Sequence, residues 1–437
     1  MKDIAEIRLW GEQVGALLYN EENGLTTFEY APDWRAKGVP VSPLNLPTRP
    51  GRFTFPGLPF ETFKGLPGAF ADTLPDDFGN AVIDAWLTRN GLDKADFNPL
   101  DRLLYTGTRG MGALEYHPVM SNRQNQAVDE VHIDLLVELA QRVLDHRAGL
   151  QVSLEGNGDH RDAMTEIFQV GTSAGGARPK AVVAVNEDRT RVLSGQKDAP
   201  EGFQHYLLKF DGVRERANSS EVFGDPQGYG RMEYAYYLMA REAGITIMPS
   251  ELLFEGDRAH FMTKRFDRDG NRKRHYQSLC AMDHADYKQP GLYSYEQLFS
   301  VARQLRLPRA DAVEIYRRMI FNVIARNQDD HTKNFGFVLD SPNSGWRLAP
   351  AFDVAFSYKP GSYWVDTHQM TLNGKRDDFT QVDLLTVAEQ VRGLREEAPL
   401  LIEHCISAIS RWQEFAKIAS VNSSLAGWIQ QNLRLQL

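Results

Sequence analysis

The first 120 residues alternate apolar and polar positions in short runs, separated by turns rich in Gly and Pro. The clearest runs are Ile4 to Trp10, Val14 to Tyr19 and Thr26 to Ala31. Because successive side chains of a strand point to opposite faces, this two-residue period predicts a small antiparallel sheet or barrel. Around Asn80 to Thr88 the spacing becomes helical, directly after a proline and two aspartates that suit a helix start.

In the middle of the chain the pattern of apolar and polar residues changes several times. Residues 121–126 are polar and predict a linker or exposed loop, and residues 128–147 have the spacing of an amphipathic helix. The remaining elements predicted here are strands at Lys180 to Val185, Gln204 to Phe210 and His260 to Arg268, and a helix at Arg231 to Ile245 that Gly244 ends.

From Tyr295 onward helices dominate, notably over Asp311 to Asn327. Strands followed by a mainly helical region are typical of an α+β fold. We therefore expect three segments: a β-rich subdomain at 1–120, a region of strands with a glycine-rich loop at 121–265, and a helical lobe at 266–437.

Length and composition narrow the class of protein. At 437 residues the chain exceeds one ordinary core, and 42% hydrophobic with 24% charged residues indicates a soluble globular protein. A net charge of −9 argues against wholesale coating of nucleic acid. Two cysteines cannot form a disulfide framework, which favours a reducing cytoplasm, and the lack of about 18 consecutive apolar residues predicts no membrane-spanning helix.

The strongest chemical signal is the sequence NQDDHTKNF, from Asn327 to Phe335. Asp329 and Asn334 stand five residues apart, the spacing of the catalytic Asp and the magnesium-binding Asn in the kinase loop H-R-D-x-x-x-x-N. Phosphoryl transfer needs one carboxylate to orient a hydroxyl and take its proton, and a nearby amide oxygen to hold magnesium. A short loop can hold both groups on one side of the transferring phosphoryl group.

A second carboxylate follows after a predicted hairpin. The apolar runs FGFVL and WRLAP flank the turn DSPNSG, and Asp353 lies 19 residues beyond Asn334. Asp353 would complete a magnesium site, as the Asp of the D-F-G motif does in kinases. Two alternatives remain open for the loop itself: a solvated helix end, and a metal hydrolase that uses Asp329, Asp330 and His331 as ligands. The ordered set of loop, hairpin and second aspartate favours phosphoryl transfer.

A glycine-rich stretch, GTSAGGARPKAVVAV, precedes the strand at Lys180. Glycines let backbone N–H groups approach phosphate oxygens, although a plain turn would have the same composition. The stretch lacks the G-K-[ST] ending of a Walker loop, which disfavours a P-loop NTPase. Lys209 lies inside an apolar strand, where it could be an ordinary edge residue. The order of glycine loop, strand, strand-borne lysine and helix is nevertheless that of a kinase N-lobe.

With these residues in place, the sequence resembles the HipA family of kinases over nearly its whole length. The motifs that carry the resemblance are VGALLY, FEYAPDW, LPGAFADTLPDDFG and GTRGMGALEY in the first 120 residues, and SAGGARPK, YLLKF, MTKRFDR, DDHTKNF, RLAPAFDV and HQMTLNGK further on. The resemblance implies a protein-kinase-like α+β fold. HQMTLNGK, from His368 to Lys375, has no chemical role that its spacing reveals.

The resemblance also implies a role for individual residues. Asp329 would be the catalytic base, with Asn334 and Asp353 holding Mg²⁺. Ser173 matches a serine whose autophosphorylation ejects the phosphate loop, and a phosphate there would add nearly two negative charges beside the nucleotide. The residues expected to bind ATP are Gly175, Gly176, Ala177, Arg178, Pro179 and Lys180 in the phosphate loop, Lys209, the adenine-lining Lys264, Arg265 and Phe266, and His331, Asn334, Phe352 and Asp353.

Two departures from the family pattern stand near the expected nucleotide. Lys264 occupies a hinge position that is acidic in a relative, which matters little if only backbone groups meet adenine. Arg178 and Pro179 replace a more polar pair in the phosphate loop.

The family resemblance further implies a biological setting. We expect a toxin of a toxin–antitoxin pair that phosphorylates an aminoacyl-tRNA synthetase and inhibits translation. Its partners would be a HipB-like helix-turn-helix antitoxin and, through that complex, operator DNA, with the antitoxin supplying most phosphate contacts. Two other classes stay open: a kinase with a non-toxic role and another substrate, and a non-catalytic regulator that retains the fold.

Overall fold

The structure is a computed structural model that describes residues 3–89, 91–93, 97–118, 136–138, 140–142, 179–213 and 228–437. The chain divides into two compact units. The first comprises Met1–Val222 and Leu253–Tyr276, and the second Phe223–Leu252 and Gln277–Leu437. The predicted segments 1–120, 121–265 and 266–437 stay a prediction.

The first unit opens with the predicted antiparallel sheet. Its strands are β1 (Ile4–Leu9), β2 (Glu12–Asn20), β3 (Leu25–Tyr30), β4 (Arg52–Phe53) and β5 (Leu114–His117). They pair in the order β4-β3-β2-β1-β5, and each neighbouring pair is antiparallel. Ile7, Leu9 and Phe28 are fully buried, so the alternation in the sequence does mark a core-facing side. All three predicted strands are confirmed.

Short helices accompany this sheet, at Pro32–Lys37, Phe60–Phe63, Gly68–Ala71, Asp77–Arg89 and Pro99–Thr106. The helix predicted around Asn80 to Thr88 is confirmed as Asp77–Arg89. Its first turn is capped by the Asp76 carboxylate, which accepts a hydrogen bond of 2.6 Å from the N–H of Gly79.

A second sheet has the order β7-β6-β8-β10-β9. Its strands are β6 (Lys180–Asn186), β7 (Val192–Ser194), β8 (Phe203–Lys209), β9 (Ser250–Glu255) and β10 (Arg258–Lys264). β6 is buried from Lys180 to Val185, and Ala181, Val183 and Val185 pack in a core that also contains Leu136 and Ala140. The predicted strands are confirmed, the last ending earlier, at Lys264. Of the predicted helix 128–147, residues 136–138 and 140–142 are helical, and the rest lies outside the described residues, as does the linker 121–126.

A buried charge cluster follows β10, where the small hairpin of β11 (Arg268–Asp269) and β12 (Arg272–Lys273) begins. The Asp267 carboxylate accepts hydrogen bonds from Arg265 at 2.8 and 2.6 Å, from Arg268 at 2.7 Å and from the Gly112 N–H at 2.8 Å. Burial alone would raise the pKa of Asp267, but the two guanidinium groups outweigh it and hold this pKa well below its ordinary value.

The second unit is built around helix Arg309–Ile324, whose Ile315, Met319 and Phe321 are fully buried. The other helices are Tyr229–Glu242, Leu279–Met282, Tyr295–Gln304, Gln381–Ala388, Leu394–Ser410, Trp412–Ile418 and Ser423–Asn432, and the strands are β13 (His275–Ser278), β14 (Gly336–Leu339) and β15 (Arg347–Leu348). The predicted helix at Asp311 to Asn327 is confirmed with an earlier end, and Gly244, at a φ of +79°, follows the end of Tyr229–Glu242 as predicted.

The predicted hairpin after the candidate loop is also confirmed. β14 and β15 pair antiparallel, with Phe337 opposite Leu348 and Val338 opposite Arg347. Within the described part of the chain, no helix combines the length and apolar character that crossing a membrane requires.

Replacing Asp267 by Asn should lower the free energy of unfolding by about 3–5 kcal/mol, because two buried guanidinium groups lose their counter-charge. Urea denaturation of wild type and variant at neutral pH measures this difference. The pKa of Asp267 is depressed in the folded state, so its contribution is present above the unfolded pKa and is lost as pH falls. The difference should therefore shrink below about pH 4.

Asp269→Asn is the matched control. Its carboxylate is 60% exposed and pairs with the exposed Arg272, so its loss should cost less than about 1 kcal/mol. Equal losses for the two variants would contradict a structural role for the buried cluster.

Candidate active site

The candidate catalytic loop begins where helix Arg309–Ile324 ends. Arg326 has a φ of 55°, in the left-handed region that a bulky side chain seldom adopts, and this turns the chain out of the helix. Residues Thr332–Asn334 form one turn of 3-10 helix. The Asn334 side-chain N–H donates to the main-chain carbonyl of Asp329 at 2.7 Å, which closes the loop. The Asp329 carboxylate is 45% exposed.

This closure orients the amide of Asn334. Because its nitrogen donates to the loop, its oxygen is the atom turned away and able to coordinate a cation. Amide and carboxylate oxygens are the ligands that Mg²⁺ prefers, usually one or two from protein with the rest from water and phosphate. The donor set of Asn334 and Asp353 therefore fits magnesium by its chemistry.

The segment that carries Asp353 runs beside the loop. Directly after β15, the Ala349 N–H donates to the carbonyl of Gly336, the first residue of β14, at 2.9 Å. Beyond Asp353, the Ser357 N–H donates to Arg326 O at 3.0 Å and the Gln328 N–H donates to Ser357 O at 3.3 Å. Asp353 has a φ of 52°, a conformation that aspartate tolerates better than most residues. Main-chain hydrogen bonds thus hold the Asp353 segment against the start of the catalytic loop.

A small recess of about 20 Å³, enough for about one water molecule, lies in this part of the second unit. Its lining residues are Ile245, Arg318, Asn322, Asn327, Asp330, Asn334, Phe335, Ala351, Phe352 and Val354. Two predicted ATP-binding residues, Asn334 and Phe352, are therefore brought together here.

Asp330 points the opposite way from its neighbour Asp329. It is 1% exposed, and its carboxylate accepts hydrogen bonds from the Tyr295 hydroxyl at 2.7 Å, from His368 Nδ1 at 2.9 Å and from the Gln369 N–H at 2.8 Å. The hydrolase alternative needed Asp329, Asp330 and His331 around one metal. Because Asp330 is engaged in the core, and no group of three or more His, Cys, Asp or Glu able to hold a metal occurs among the described residues, that alternative loses its support.

His331 lies close to the exposed carboxylate. Its Nε2 is 3.6 Å from Asp329 Oδ1, and its ring is 5.3 Å from the ring of Tyr287. The Lys333 ammonium lies 4.8 Å from the centre of the Tyr287 ring. Tyr287 was not predicted as part of the site, since it is distant in sequence and belongs to no recognised spacing.

In the first unit, Lys180 and Lys209 face each other across the β6–β8 pair. Lys180 Nζ lies 3.4 Å from Asp76 Oδ2, and both side chains are 2% exposed. Lys209 is half-buried, with its ammonium 5.8 Å from the centre of the Phe261 ring. Two lysines opposite each other concentrate positive charge, as a phosphate site requires, but Asp76 already compensates one of them.

The predicted adenine-lining residues lie at the end of β10 and directly after it. Lys264 is half-buried, whereas the side chains of Arg265 and Phe266 are buried within the first unit. Arg265 is bound to Asp267, as described above, and the Phe266 ring packs edge-on against Tyr276 at 5.2 Å. Contacts of Arg265 and Phe266 with a base would therefore fall to their main chain.

The predicted autophosphorylation site Ser173 lies outside the described residues, as do Gly175, Gly176, Ala177 and Arg178 of the predicted phosphate loop. Its last two residues are described. Pro179 O accepts a hydrogen bond of 3.1 Å from the Phe210 N–H, and Lys180 begins β6.

Family models match both parts of the chain. A model of the HipA-like C-terminal domain matches residues 172–413, more than half of the chain, and a model of the HipA N-terminal domain matches residues 5–117. The chain belongs to the HipA family. The resemblance inferred from its motifs is thereby confirmed.

Solved structures agree on the fold. A complex of HipA, HipB and operator DNA from the toxin–antitoxin system of Shewanella oneidensis MR-1 matches with a TM-score of 0.65 at 16% identity, over 98% of this chain and 94% of that one. This confirms the α+β HipA fold. The match to the proinflammatory kinase CtkA of Helicobacter pylori covers 53% of this chain and 88% of that one, at 12% identity and a TM-score of 0.33.

A curated relative from Haemophilus influenzae, described as "Putative kinase", is 30% identical over 161 residues. The match covers 33% of this chain and 46% of that protein, so it spans about half the length of the relative.

The structure shows which residues the HipA-family motif HQMTLNGK binds. His368 and Gln369 bind Asp330, as described above. Asn373 Nδ2 and Lys375 Nζ each lie 2.8 Å from the Asp383 carboxylate, which also accepts from the Thr380 hydroxyl. The motif therefore ties the catalytic loop to the start of helix Gln381–Ala388. Its spacing could not reveal this, because its partners lie elsewhere in the chain.

Proposed function

We propose that this HipA-family protein is an ATP- and Mg²⁺-dependent protein kinase that transfers the γ-phosphoryl group to a serine or threonine hydroxyl. The observation that carries the proposal is the loop closed by Asn334 on the Asp329 carbonyl. It presents an exposed carboxylate and an outward amide oxygen five residues apart, beside the segment of Asp353. The "Putative kinase" described above is in keeping with it.

Each residue of the loop then has a defined task. Asp329 orients the substrate hydroxyl and accepts its proton as the bond to phosphorus forms. Asn334 Oδ1 and the Asp353 carboxylate would hold Mg²⁺, which when bound neutralises charge on the phosphate oxygens. His331, 3.6 Å from Asp329 Oδ1, lies close enough to adjust the position of that carboxylate. Phe352 lines the recess next to Asn334.

The nucleotide contacts of the first unit are part of the same proposal. Lys209 would contact the α- and β-phosphates, and residues 175–180 would form the phosphate loop. Lys180 can bind a phosphate only if its ammonium leaves Asp76 for a phosphate oxygen, or if it binds Asp76 and the phosphate together. Main-chain groups of residues 264–266 would meet the adenine.

The biological role we propose is that of a toxin of a type II toxin–antitoxin system, with a HipB-like antitoxin and operator DNA as partners and an aminoacyl-tRNA synthetase as the substrate. The HipA–HipB–operator complex of similar fold supports the partner classes. The net charge of −9 is consistent with an antitoxin that makes most of the DNA contacts. Autophosphorylation of Ser173 would switch the enzyme off by adding charge beside the nucleotide.

Asp329→Asn should lower phosphoryl transfer about 100-fold or more, because the amide cannot accept the proton of the hydroxyl. Purified wild type incubated with ATP and Mg²⁺ should add phosphate to the peptide that contains Ser173, as measured by mass spectrometry. Asp329→Asn should leave this peptide unmodified while still binding ATP, and Ser173→Ala serves as the site control. Full incorporation in Asp329→Asn would exclude Asp329 as the base.

Asp353→Ala should weaken binding of ATP in the presence of Mg²⁺ by about 10-fold or more, because a direct metal ligand is lost. Calorimetric titration with ATP, with and without Mg²⁺, measures this. Without the metal, wild type and variant should bind equally. The half-buried Asp366→Ala is the control; an unchanged affinity for Mg²⁺–ATP in Asp353→Ala would remove Asp353 from the metal site.

Growth separates a toxin from a kinase with another role. Induced expression of wild type without an antitoxin should arrest growth, whereas Asp329→Asn at the same protein level should not. Unimpaired growth with an enzyme that is active in vitro would support the non-toxic alternative, and arrest by both proteins would point to a non-catalytic effect.

A further inference from the structure

We propose that Asp330, which is not a catalytic residue, positions the catalytic loop, and that its buried carboxylate is required to hold Asp329 in its outward orientation. This inference rests on the proposed function. Adjacent side chains of the loop face opposite sides, Asp329 being 45% exposed and Asp330 1% exposed. Securing one residue in the core therefore sets the direction of the next.

Three donors from two separate segments meet the carboxylate. One oxygen accepts from both the Tyr295 hydroxyl and His368 Nδ1, and the other accepts from the Gln369 N–H. Tyr295 begins helix Tyr295–Gln304, and the other two residues belong to the HQMTLNGK motif. A single side chain thus attaches the loop to two parts of the second unit that are distant in sequence.

The network continues into the central helix. Asn322 Nδ2 donates to the Tyr295 hydroxyl at 3.1 Å, and Asn327 Nδ2 donates to Asn322 Oδ1 at 2.9 Å. On the other side of the loop, the Thr332 hydroxyl donates to Ala285 O at 2.7 Å. The residues before and after Asp330 are therefore anchored as well.

The carboxylate is suited to this place because it is an acceptor at both oxygens. Asparagine has nearly the same shape, but its NH₂ group would face at least one of the three donors. The Tyr295 oxygen cannot relieve this conflict easily, since it already accepts from Asn322. A buried donor left without an acceptor shifts the local structure, and misplacement of a reacting group by about 1 Å can cost on the order of 100-fold in rate.

The test uses the full chain with Asp330→Asn and Tyr295→Phe. We expect kcat for phosphoryl transfer to fall about 10- to 100-fold in Asp330→Asn and less in Tyr295→Phe, with KM for ATP changed less than about threefold. Hydrogen–deuterium exchange should be at least about tenfold faster at residues 327–335, and unchanged in helix Leu394–Ser410.

Tyr293→Phe is the matched control. Its hydroxyl donates to Asp283 Oδ2 at 2.6 Å, so a phenol–carboxylate bond of the same kind is lost without loss of a hydrogen bond to Asp330. Tyr293→Phe should keep the wild-type kcat and wild-type exchange at 327–335. A similar fall in kcat for Tyr293→Phe and Tyr295→Phe would reduce the effect to general destabilisation and overturn the proposal.

Wild-type kcat and exchange in Asp330→Asn would also overturn it. Should Asp330→Asn not fold, the comparison of Tyr295→Phe with Tyr293→Phe decides alone. Should wild type show no phosphoryl transfer, the proposed function fails, while the exchange at 327–335 still tests whether Asp330 holds the loop.

Discussion

The hydrogen bonds to the buried Asp330 carboxylate are the contacts on which the organisation of the second unit depends. They join the candidate catalytic loop, helix Tyr295–Gln304 and the HQMTLNGK motif at one point. A carboxylate removed from water is tolerated only where donors satisfy it. Because Asp330 needs these donors, His368 and Gln369 lie against the loop. Asn373 and Lys375 of the same motif bind Asp383 in the first turn of helix Gln381–Ala388. Asp330 and Asn334 both line the recess, whereas the neighbouring Asp329 side chain is 45% exposed.

The first unit has a comparable buried charge arrangement with a different consequence. Asp267 accepts hydrogen bonds from Arg265 and Arg268, which ties the end of β10 to the Gly112 turn beside β5. This cluster removes the Arg265 side chain from any nucleotide contact. The pairing of Lys180 with Asp76 likewise means that one of the two facing lysines carries a compensated charge.

Several features of the site could be predicted because they are local. The spacing of Asp329 and Asn334 implies a short loop, and a hydrogen bond across five residues does close it. The apolar runs that flank DSPNSG predict the hairpin that returns the chain toward Asp353. The opposite orientations of Asp329 and Asp330 could not be predicted, because two adjacent aspartates look alike in the sequence. Only the donors at positions 295, 368 and 369 distinguish them.

The sequence alone predicted strands β1, β2 and β3 of the first sheet, strands β6, β8 and β10 of the second, the helices Asp77–Arg89, Tyr229–Glu242 and Arg309–Ile324, the candidate loop and the family. Each of these depends on side-chain periodicity or on residues close together in the chain. Only the tertiary structure decided that Asp330 rather than Asp329 is buried and that the HQMTLNGK motif binds it. The same holds for the ion pairs of Arg265 with Asp267 and of Lys180 with Asp76. These pairings join residues from 2 to more than 100 positions apart. Their common cause is burial, since a polar group withdrawn from water must find a partner wherever the packed chain supplies one.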